Sequence, residues 1–257
     1  MNITHEEFEK EAQRRGLKLS RDSASNRYRV AFVQGSALVS LDNLEKDIAS
    51  DGDLTRISRF MDTVMELSVS ATDRITPEGL LWLLEPSDYV EKPELRVCIS
   101  DKVDRVLVHL SPDRSAVPWV TQAMLASKTI TEAAAGDIAF ANLDRELSDA
   151  KVEFKQIGDV RLGFISATEP VKASLILSPG FRQKVEEVIG WPVLAVVPDR
   201  DFLYFWASRH EGFVGQVGRI VVEQFARAAY PISTEVYLIG NDGVRAIGEF
   251  PQNAARI

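Results

Sequence analysis

Short apolar segments with strand-like composition alternate with longer segments of helical hydrophobic spacing in the second half of the chain. Two turn sequences, Gly158-Asp159 and Asn241-Asp242-Gly243, separate neighbouring apolar segments, and their residues accept the positive φ angles that tight turns need. The pattern therefore predicts antiparallel hairpins. The predicted strand pairs are Val152–Ile157 with Val160–Ile165, Val193–Val197 with Phe202–Ala207, and Val236–Ile239 with Val244–Ile247.

Helices are predicted between these strand pairs, because apolar residues there recur every three or four positions. The first of these helices continues through Leu147, and the other two cover Ala173–Ile189 and Gly218–Ala229. Thr129 and Glu132 have the spacing of a capping box at the start of the first helix. Alternation of helices with antiparallel strand pairs favours an α+β layered sandwich over a doubly wound parallel sheet.

The segment Phe202–Ala207 lacks the alternation of apolar and polar residues that marks a strand with one solvated face. We therefore expect both faces of this strand to be covered. Helices Ala173–Ile189 and Gly218–Ala229 are predicted to cover one face. The first lobe of the chain is predicted to cover the other, and a second subunit is the alternative cover.

The first part of the chain shows a looser version of the same alternation. Its predicted elements are a short helix that ends near Gly16, helical spacing from Leu44 to Leu67, and strands at Leu80–Leu84, Leu95–Ser100 and Arg105–Leu110. Residues 111–115 then have the composition of a turn. This predicts a smaller N-terminal α+β lobe over residues 1–112 and a C-terminal α+β domain over residues 113–257.

Length and charge narrow the class of protein. The chain has 257 residues, which is long enough for one large or two small domains without disulfide or metal staples. Lys and Arg number 30 against 38 Asp and Glu, so the formal net charge is −8. An acidic balance argues against a nucleic-acid-binding protein, whose affinity comes mainly from cationic side chains.

The sequence has few residues that could bind a metal and no apolar segment of membrane-spanning length. Cys98 is the only cysteine, and His5, His109 and His210 have no metal-ligand spacing, so we expect no metal and no cofactor. Met1–Ser20 is charged throughout, and no apolar stretch approaches the roughly 20 residues of a membrane-spanning helix. These features predict a cytoplasmic protein that binds neither a membrane nor nucleic acid.

Five polar residues are candidates for binding a ligand or partner: Asn142, Asp199, Arg200, Asp201 and His210. Asparagine is a poor mid-helix residue, so the Asn142 amide is expected to bind a backbone carbonyl of the neighbouring sheet or a ligand. A guanidinium flanked by carboxylates can hold an anionic group, but the same three residues also suit an ordinary charged turn. His210 lies in a polar connection and could titrate near neutrality.

Two further motifs have structural explanations. The segment from Gly212 to Gly218 has neither the G-x-G-x-x-G spacing of a dinucleotide site nor a P-loop lysine, so a flexible strand-to-helix connection is predicted. Ser174 lacks the glycines of a nucleophile elbow and is expected to cap a helix N-terminus.

Four short segments follow one another in the second half: Ala139-Phe140-Ala141-Asn142-Leu143, Ala173-Ser174-Leu175-Ile176-Leu177, Pro198-Asp199-Arg200-Asp201-Phe202-Leu203 and Tyr230-Pro231-Ile232-Ser233. This succession resembles the YtpQ-like bacterial family, a domain of unknown function, over roughly Val117 to Glu249. The resemblance supports the α+β interpretation. It implies no reaction, cofactor or catalytic residue.

The sequence contains no recognisable nucleophile–base pair, metal cluster or cofactor loop. It therefore favours a noncatalytic binding or adaptor module, with an unknown protein partner or small ligand and a possible homo-oligomeric state. The alternative is an enzyme of unknown reaction that uses a polar site around Asp199, Arg200 and Asp201. Convergence of these groups in a pocket would favour the enzyme.

Overall fold

The computed structural model describes residues 3–22, 27–32, 35–41, 44–45, 48–49, 52–70, 75–89, 92–112, 114, 117–167, 170–228 and 230–251. The chain divides into two compact units, Met1–Arg74 and Ile75–Ile257. This division lies well before the predicted boundary between residues 112 and 113. In the turn-rich segment 111–115, residues 113 and 115 lie outside the described part of the chain. The next residue, 116, also lies outside it.

The first unit is a small α+β structure. Its elements are α1 (Ile3–Arg14), the antiparallel strands β1 (Lys18–Asp22), β2 (Arg27–Phe32) and β3 (Gly35–Ser40), and α2 (Thr55–Ser70). Phe8, Tyr28 and Met61 are fully buried in its core. Buried His5 contacts the Tyr28 hydroxyl through Nδ1 at 2.7 Å and the Glu45 carboxylate through Nε2 at 2.8 Å. These contacts join α1, the sheet and the segment before α2.

The second unit begins with a three-stranded antiparallel sheet of order β4-β6-β5. Its strands are β4 (Leu80–Pro86), β5 (Arg96–Cys98) and β6 (Val103–His109), and they are followed by helices α3 (Gln122–Ser127) and α4 (Glu132–Asp149). Helix α4 packs on β4 and shares one buried cluster with it. Because the apolar side chains of this sheet are buried against α4, the sheet belongs with the C-terminal elements. This packing explains why the chain does not divide at residue 112.

The main sheet has six strands in the order β12-β11-β9-β10-β8-β7, and all neighbours are antiparallel. The strands are β7 (Lys151–Ile157), β8 (Val160–Ser166), β9 (Val193–Val196), β10 (Tyr204–Ala207), β11 (Glu235–Gly240) and β12 (Gly243–Glu249). Both predicted hairpin turns are confirmed. Gly158 and Gly243 have φ angles of 59° and 100°, a region that favours glycine. The described residues thus form an α+β structure with a layered antiparallel sheet.

Strand β10 is covered on both faces, as the sequence predicted. Phe205 and Trp206 point to opposite faces, and each is 0% exposed. However, the two predicted helical segments do not share a face. The 3₁₀ helix Lys172–Leu177 and α5 (Phe181–Val185) belong to the Phe205 cluster, while α6 (Val214–Arg227) packs with Trp206. The helices therefore lie on opposite sides of the sheet, because each connection crosses a different face.

Gly163 of β8 makes room for the ring of Phe205 on the neighbouring strand. The two residues are direct cross-strand partners. A Cβ atom at Gly163 would lie 2.5 Å from the Phe205 ring, closer than nonbonded carbon atoms approach. The same ring packs edge-on against Phe181 of α5 at a centroid distance of 5.4 Å. Phe205 is thus held between a bare backbone position and a helix.

Two predicted caps are wrong. Thr131 caps α4, and its hydroxyl accepts a hydrogen bond from the Ala134 N–H at 3.2 Å, whereas Thr129 has a φ of 57° in the preceding turn. Ser174 makes no cap, and its hydroxyl instead accepts the Leu84 N–H of β4 at 2.9 Å. At α4 the capping hydroxyl belongs to a different threonine, whereas the Ser174 hydroxyl has a different donor, which lies far away in the sequence.

Candidate functional site

Asn142 binds backbone carbonyl groups at the start of the first sheet of the second unit. Its amide nitrogen donates to the Pro77 and Leu80 carbonyl oxygens at 2.7 and 2.8 Å. Its oxygen accepts from Arg145 at 2.9 Å. Of the two predicted roles for Asn142, the carbonyl-binding role is confirmed. The side chain is 5% exposed and joins α4 to β4.

Arg200 forms a buried ion pair. Its Nη2 atom donates to Oε1 of Glu85 at 2.9 Å, and the two side chains are 13% and 5% exposed. The second Glu85 oxygen accepts the Tyr89 hydroxyl at 2.9 Å. The guanidinium also lies over the Tyr230 ring, 4.1 Å from its centroid. Arg200 is therefore already engaged by a carboxylate and a ring of its own chain.

The residues on either side of Arg200 form a turn. The Asp199 carboxylate accepts the backbone N–H of Asp201 at 2.6 Å, which is the bond of an Asx turn. The backbone of Arg200 donates to the Tyr230 carbonyl at 3.1 Å and accepts from the Ala173 N–H at 3.0 Å. The structural interpretation of Asp199-Arg200-Asp201 accounts for these contacts. They do not place the three groups in a pocket.

A second buried carboxylate, Glu235, joins the two sheets of this unit. Its Oε2 atom accepts hydroxyl groups from Ser100 at 2.7 Å, Tyr237 at 2.8 Å and Ser233 at 3.0 Å. Burial raises the pKa of Tyr237, so its hydroxyl keeps its proton and remains a donor. Ser100 lies before β6, whereas the other residues lie in or just before β11. Glu235 therefore holds the turn of the first sheet against the six-stranded sheet.

His210 lies in a groove at the surface. The groove has a volume of about 510 Å³ and is open to solvent at one end of the six-stranded sheet. The β7–β8 hairpin, the segment after α5 and the 3₁₀ helix Ser208–Phe213 form its walls. Its polar side chains include Gln156, Asp159, Arg161, Glu187, Arg209 and His210. We refer to these six residues as the polar groove.

The polar groove carries charges of both signs. His210 Nδ1 lies 3.7 Å from the carboxylate of Asp159, which is too far for a good hydrogen bond. Arg161 is fixed, because its Nη1 donates to the Val188 carbonyl at 2.8 Å and its head lies over the Phe154 ring. The groove thus has one rigid cation and an imidazole that is only loosely associated with an anion.

Arg209 extends over Gly190 at the floor of the polar groove. Gly190 has a φ of 107°, and a Cβ there would lie 2.7 Å from Nη1 of Arg209. The backbone angle therefore favours glycine at this position, and a larger residue would also displace the end of the Arg209 side chain. The Arg209 head forms no hydrogen bond or ion pair with any residue that the structure describes. Its donors are available to a bound group.

Sequence reasoning missed Glu85 and Arg209. Glu85 directly follows the apolar run Leu80–Leu84, and a carboxylate at the end of a buried strand is a signal for a buried partner. Arg209 carries no such signal, since its position depends on Gly190, a residue of a different element. The structure therefore places His210 and its sequence neighbour Arg209 in the groove with Asp159, and it leaves Asn142 and Arg200 elsewhere.

Among the described residues, no group of three or more His, Cys, Asp or Glu side chains could hold a metal ion. No helix in the same part of the chain is long and apolar enough to cross a membrane. No family model, curated protein or solved structure matches this chain. The resemblance to the YtpQ-like family therefore stays a prediction.

Proposed function

We propose that the protein is a noncatalytic binding or adaptor module and that the polar groove is its contact surface. The observation that supports this proposal is the position of the Arg209 side chain and its lack of a hydrogen-bond or ion-pair partner among the described residues. Its guanidinium lies over Gly190. In contrast, Asn142 and Arg200 are engaged within the fold.

The dimensions of the groove limit what it can hold. A volume of about 510 Å³ lies in the range of small-molecule sites and also accommodates a few side chains of a protein partner. The residues that line the groove include the cations Arg161 and Arg209 and acidic side chains such as Glu187. A polar partner that carries both anionic and hydrogen-bond-donor groups is complementary to this arrangement.

Affinity capture from native lysate tests the proposal when three forms of the full chain are compared. They are the unmodified protein, Arg209→Glu, and the control Arg245→Glu, which reverses the charge of an exposed arginine on β12. We expect one stoichiometric protein or small molecule on the unmodified chain and on the control. The Arg209 variant should lose it, because reversal of the charge removes the available donors.

Two results would count against the proposal. Equal retention of the bound component by all three forms would mean that the polar groove is not the contact surface. Chemical conversion of a bound small molecule, measured by mass spectrometry after incubation, would favour the enzyme alternative. Thermal midpoints of the three forms must agree within a few degrees, so that a loss of binding is not a loss of folding.

A further inference from the structure

Arg105 lies over the junction of two neighbouring aromatic rings, whose centroids are 6.0 Å apart, on the face of its sheet that packs against α4. Its guanidinium carbon is 5.1 Å from the centroid of the Trp82 ring and 5.1 Å from that of Phe140. The indole N–H of Trp82 donates to the Gly136 carbonyl at 3.1 Å, which fixes that ring against the helix. The guanidinium therefore has a defined position rather than that of a mobile surface side chain.

The Arg105 head has no anionic partner in the described part of the chain. Its Nε atom is buried and makes no hydrogen bond. Burial lowers the pKa of Arg105, and no carboxylate opposes that shift. Arg114 and Arg200, in the same unit, each donate to a carboxylate at 2.9 Å. A partly desolvated cation that lacks such a partner is costly, and an anion at this position would offset the cost.

The surroundings of Arg105 are apolar. Its direct cross-strand partners are Leu84 on β4 and Val97 on β5, whose side chains point to the same face. Leu84 is buried, but Val97 is 42% exposed. A group that approaches the guanidinium therefore meets two aromatic rings and an exposed aliphatic side chain. These neighbours favour a ligand that is itself partly apolar.

We propose that Arg105, Trp82 and Phe140 form a binding site for a carboxylate group attached to an apolar or aromatic moiety. The guanidinium donates two parallel N–H bonds to the carboxylate, the geometry that arginine provides and lysine does not. The apolar part of the ligand packs beside the rings and Val97. The site shares no residue with the polar groove, so it stands apart from the proposed function.

Isothermal titration calorimetry of the full chain with phenylacetate tests this site. Phenylacetamide has the same shape without the charge, and inorganic phosphate has charge without the apolar group. We expect phenylacetate to bind at least about tenfold more tightly than either comparison compound. Arg105→Gln should weaken phenylacetate binding by a similar factor, whereas Arg245→Gln on exposed β12 should leave it unchanged.

The stability of the ligand-free variant gives a second readout. If Arg105 served only to stabilise the fold through its rings, Arg105→Met would lower the thermal midpoint of the free protein. We expect the midpoint to stay the same or rise, because methionine removes a partly buried, unpaired charge. Absence of phenylacetate binding, binding equal to that of phenylacetamide or phosphate, or unchanged binding to Arg105→Gln would each overturn the proposal.

The carboxylate could belong to a small organic acid or to the C-terminus of a peptide. A short peptide that ends in phenylalanine, compared with the same peptide amidated at its C-terminus, separates these sources. Tighter binding of the free-acid peptide than of phenylacetate would assign a peptide terminus. Weaker binding of that peptide than of phenylacetate would assign a small acid.

Discussion

Replacement of Arg200 by methionine separates the structural role of this residue from a role in a binding or catalytic site. Glu85 is 5% exposed, and its two oxygens accept one bond from Arg200 and one from Tyr89, both at 2.9 Å. Arg200→Met would leave a buried carboxylate with a single hydroxyl donor. Removal of one partner of a buried ion pair typically costs about 3–5 kcal/mol.

Urea unfolding followed by tryptophan fluorescence measures this cost. With a urea m-value of about 2–3 kcal/mol per molar, a loss of about 3–5 kcal/mol lowers the unfolding midpoint by about 1–2.5 M. The double replacement Arg200→Met with Glu85→Met should recover most of the loss, since no buried charge then lacks its partner. Arg245→Met, on the exposed edge strand, serves as the control and should shift the midpoint little.

If Arg200→Met unfolds at the same urea concentration as the unmodified protein, the ion pair does not stabilise the fold. If the double replacement is as unstable as the single one, the unpaired Glu85 carboxylate is not the cause of the loss. If Arg200→Met kept its stability but lost a bound ligand, the guanidinium would be acting in a site. That result would favour the enzyme alternative around Asp199, Arg200 and Asp201.

Three further predictions concern other buried contacts. Asn142→Ala leaves two backbone carbonyls without the amide donor and should lower the free energy of unfolding by about 1–3 kcal/mol. The loss is measured as a lower unfolding midpoint, and an unchanged midpoint would contradict the role of this amide. Gly163→Ala forces a methyl group to within 2.5 Å of the Phe205 ring and should cost about 1–3 kcal/mol, whereas Gly212→Ala, with nothing within 4 Å, should cost less. Burial lowers the pKa of His109, so the folded state favours the neutral ring, and its free energy of unfolding should decrease as the pH falls below about 6.5. His109→Gln should remove that part of the pH profile, and an unchanged profile would show that another group is responsible.

Local patterns predicted part of the candidate chemistry correctly. The carbonyl-binding role of Asn142 followed from the poor fit of asparagine to an apolar helix. The Asx turn at Asp199 followed from ordinary turn composition. Each prediction depended on residues a few positions away along the chain. The partner of Arg200 lies 115 residues away, and no short pattern identifies it.

The polar groove, too, could not be predicted from short patterns in the sequence. His210 was a candidate because of its own chemistry, but Asp159 and Gly190, which also line the groove, come from different elements. Their meeting requires the β7–β8 hairpin, the end of α5 and the 3₁₀ helix to lie at one end of the sheet. The order of strands brings these segments together. That order is a property of the folded chain.

By itself, the sequence determined the hairpins, the α+β class and the double coverage of β10. Glycine at 158 and 243 accepts a positive φ, and strand spacing places Phe205 and Trp206 on opposite faces. Only the tertiary structure decided which helix covers each face, where the chain divides, and which carboxylate meets Arg200. The features that the sequence determined depend on backbone angles and side-chain spacing within a few residues. The features that the tertiary structure decided depend on contacts between segments far apart in the chain.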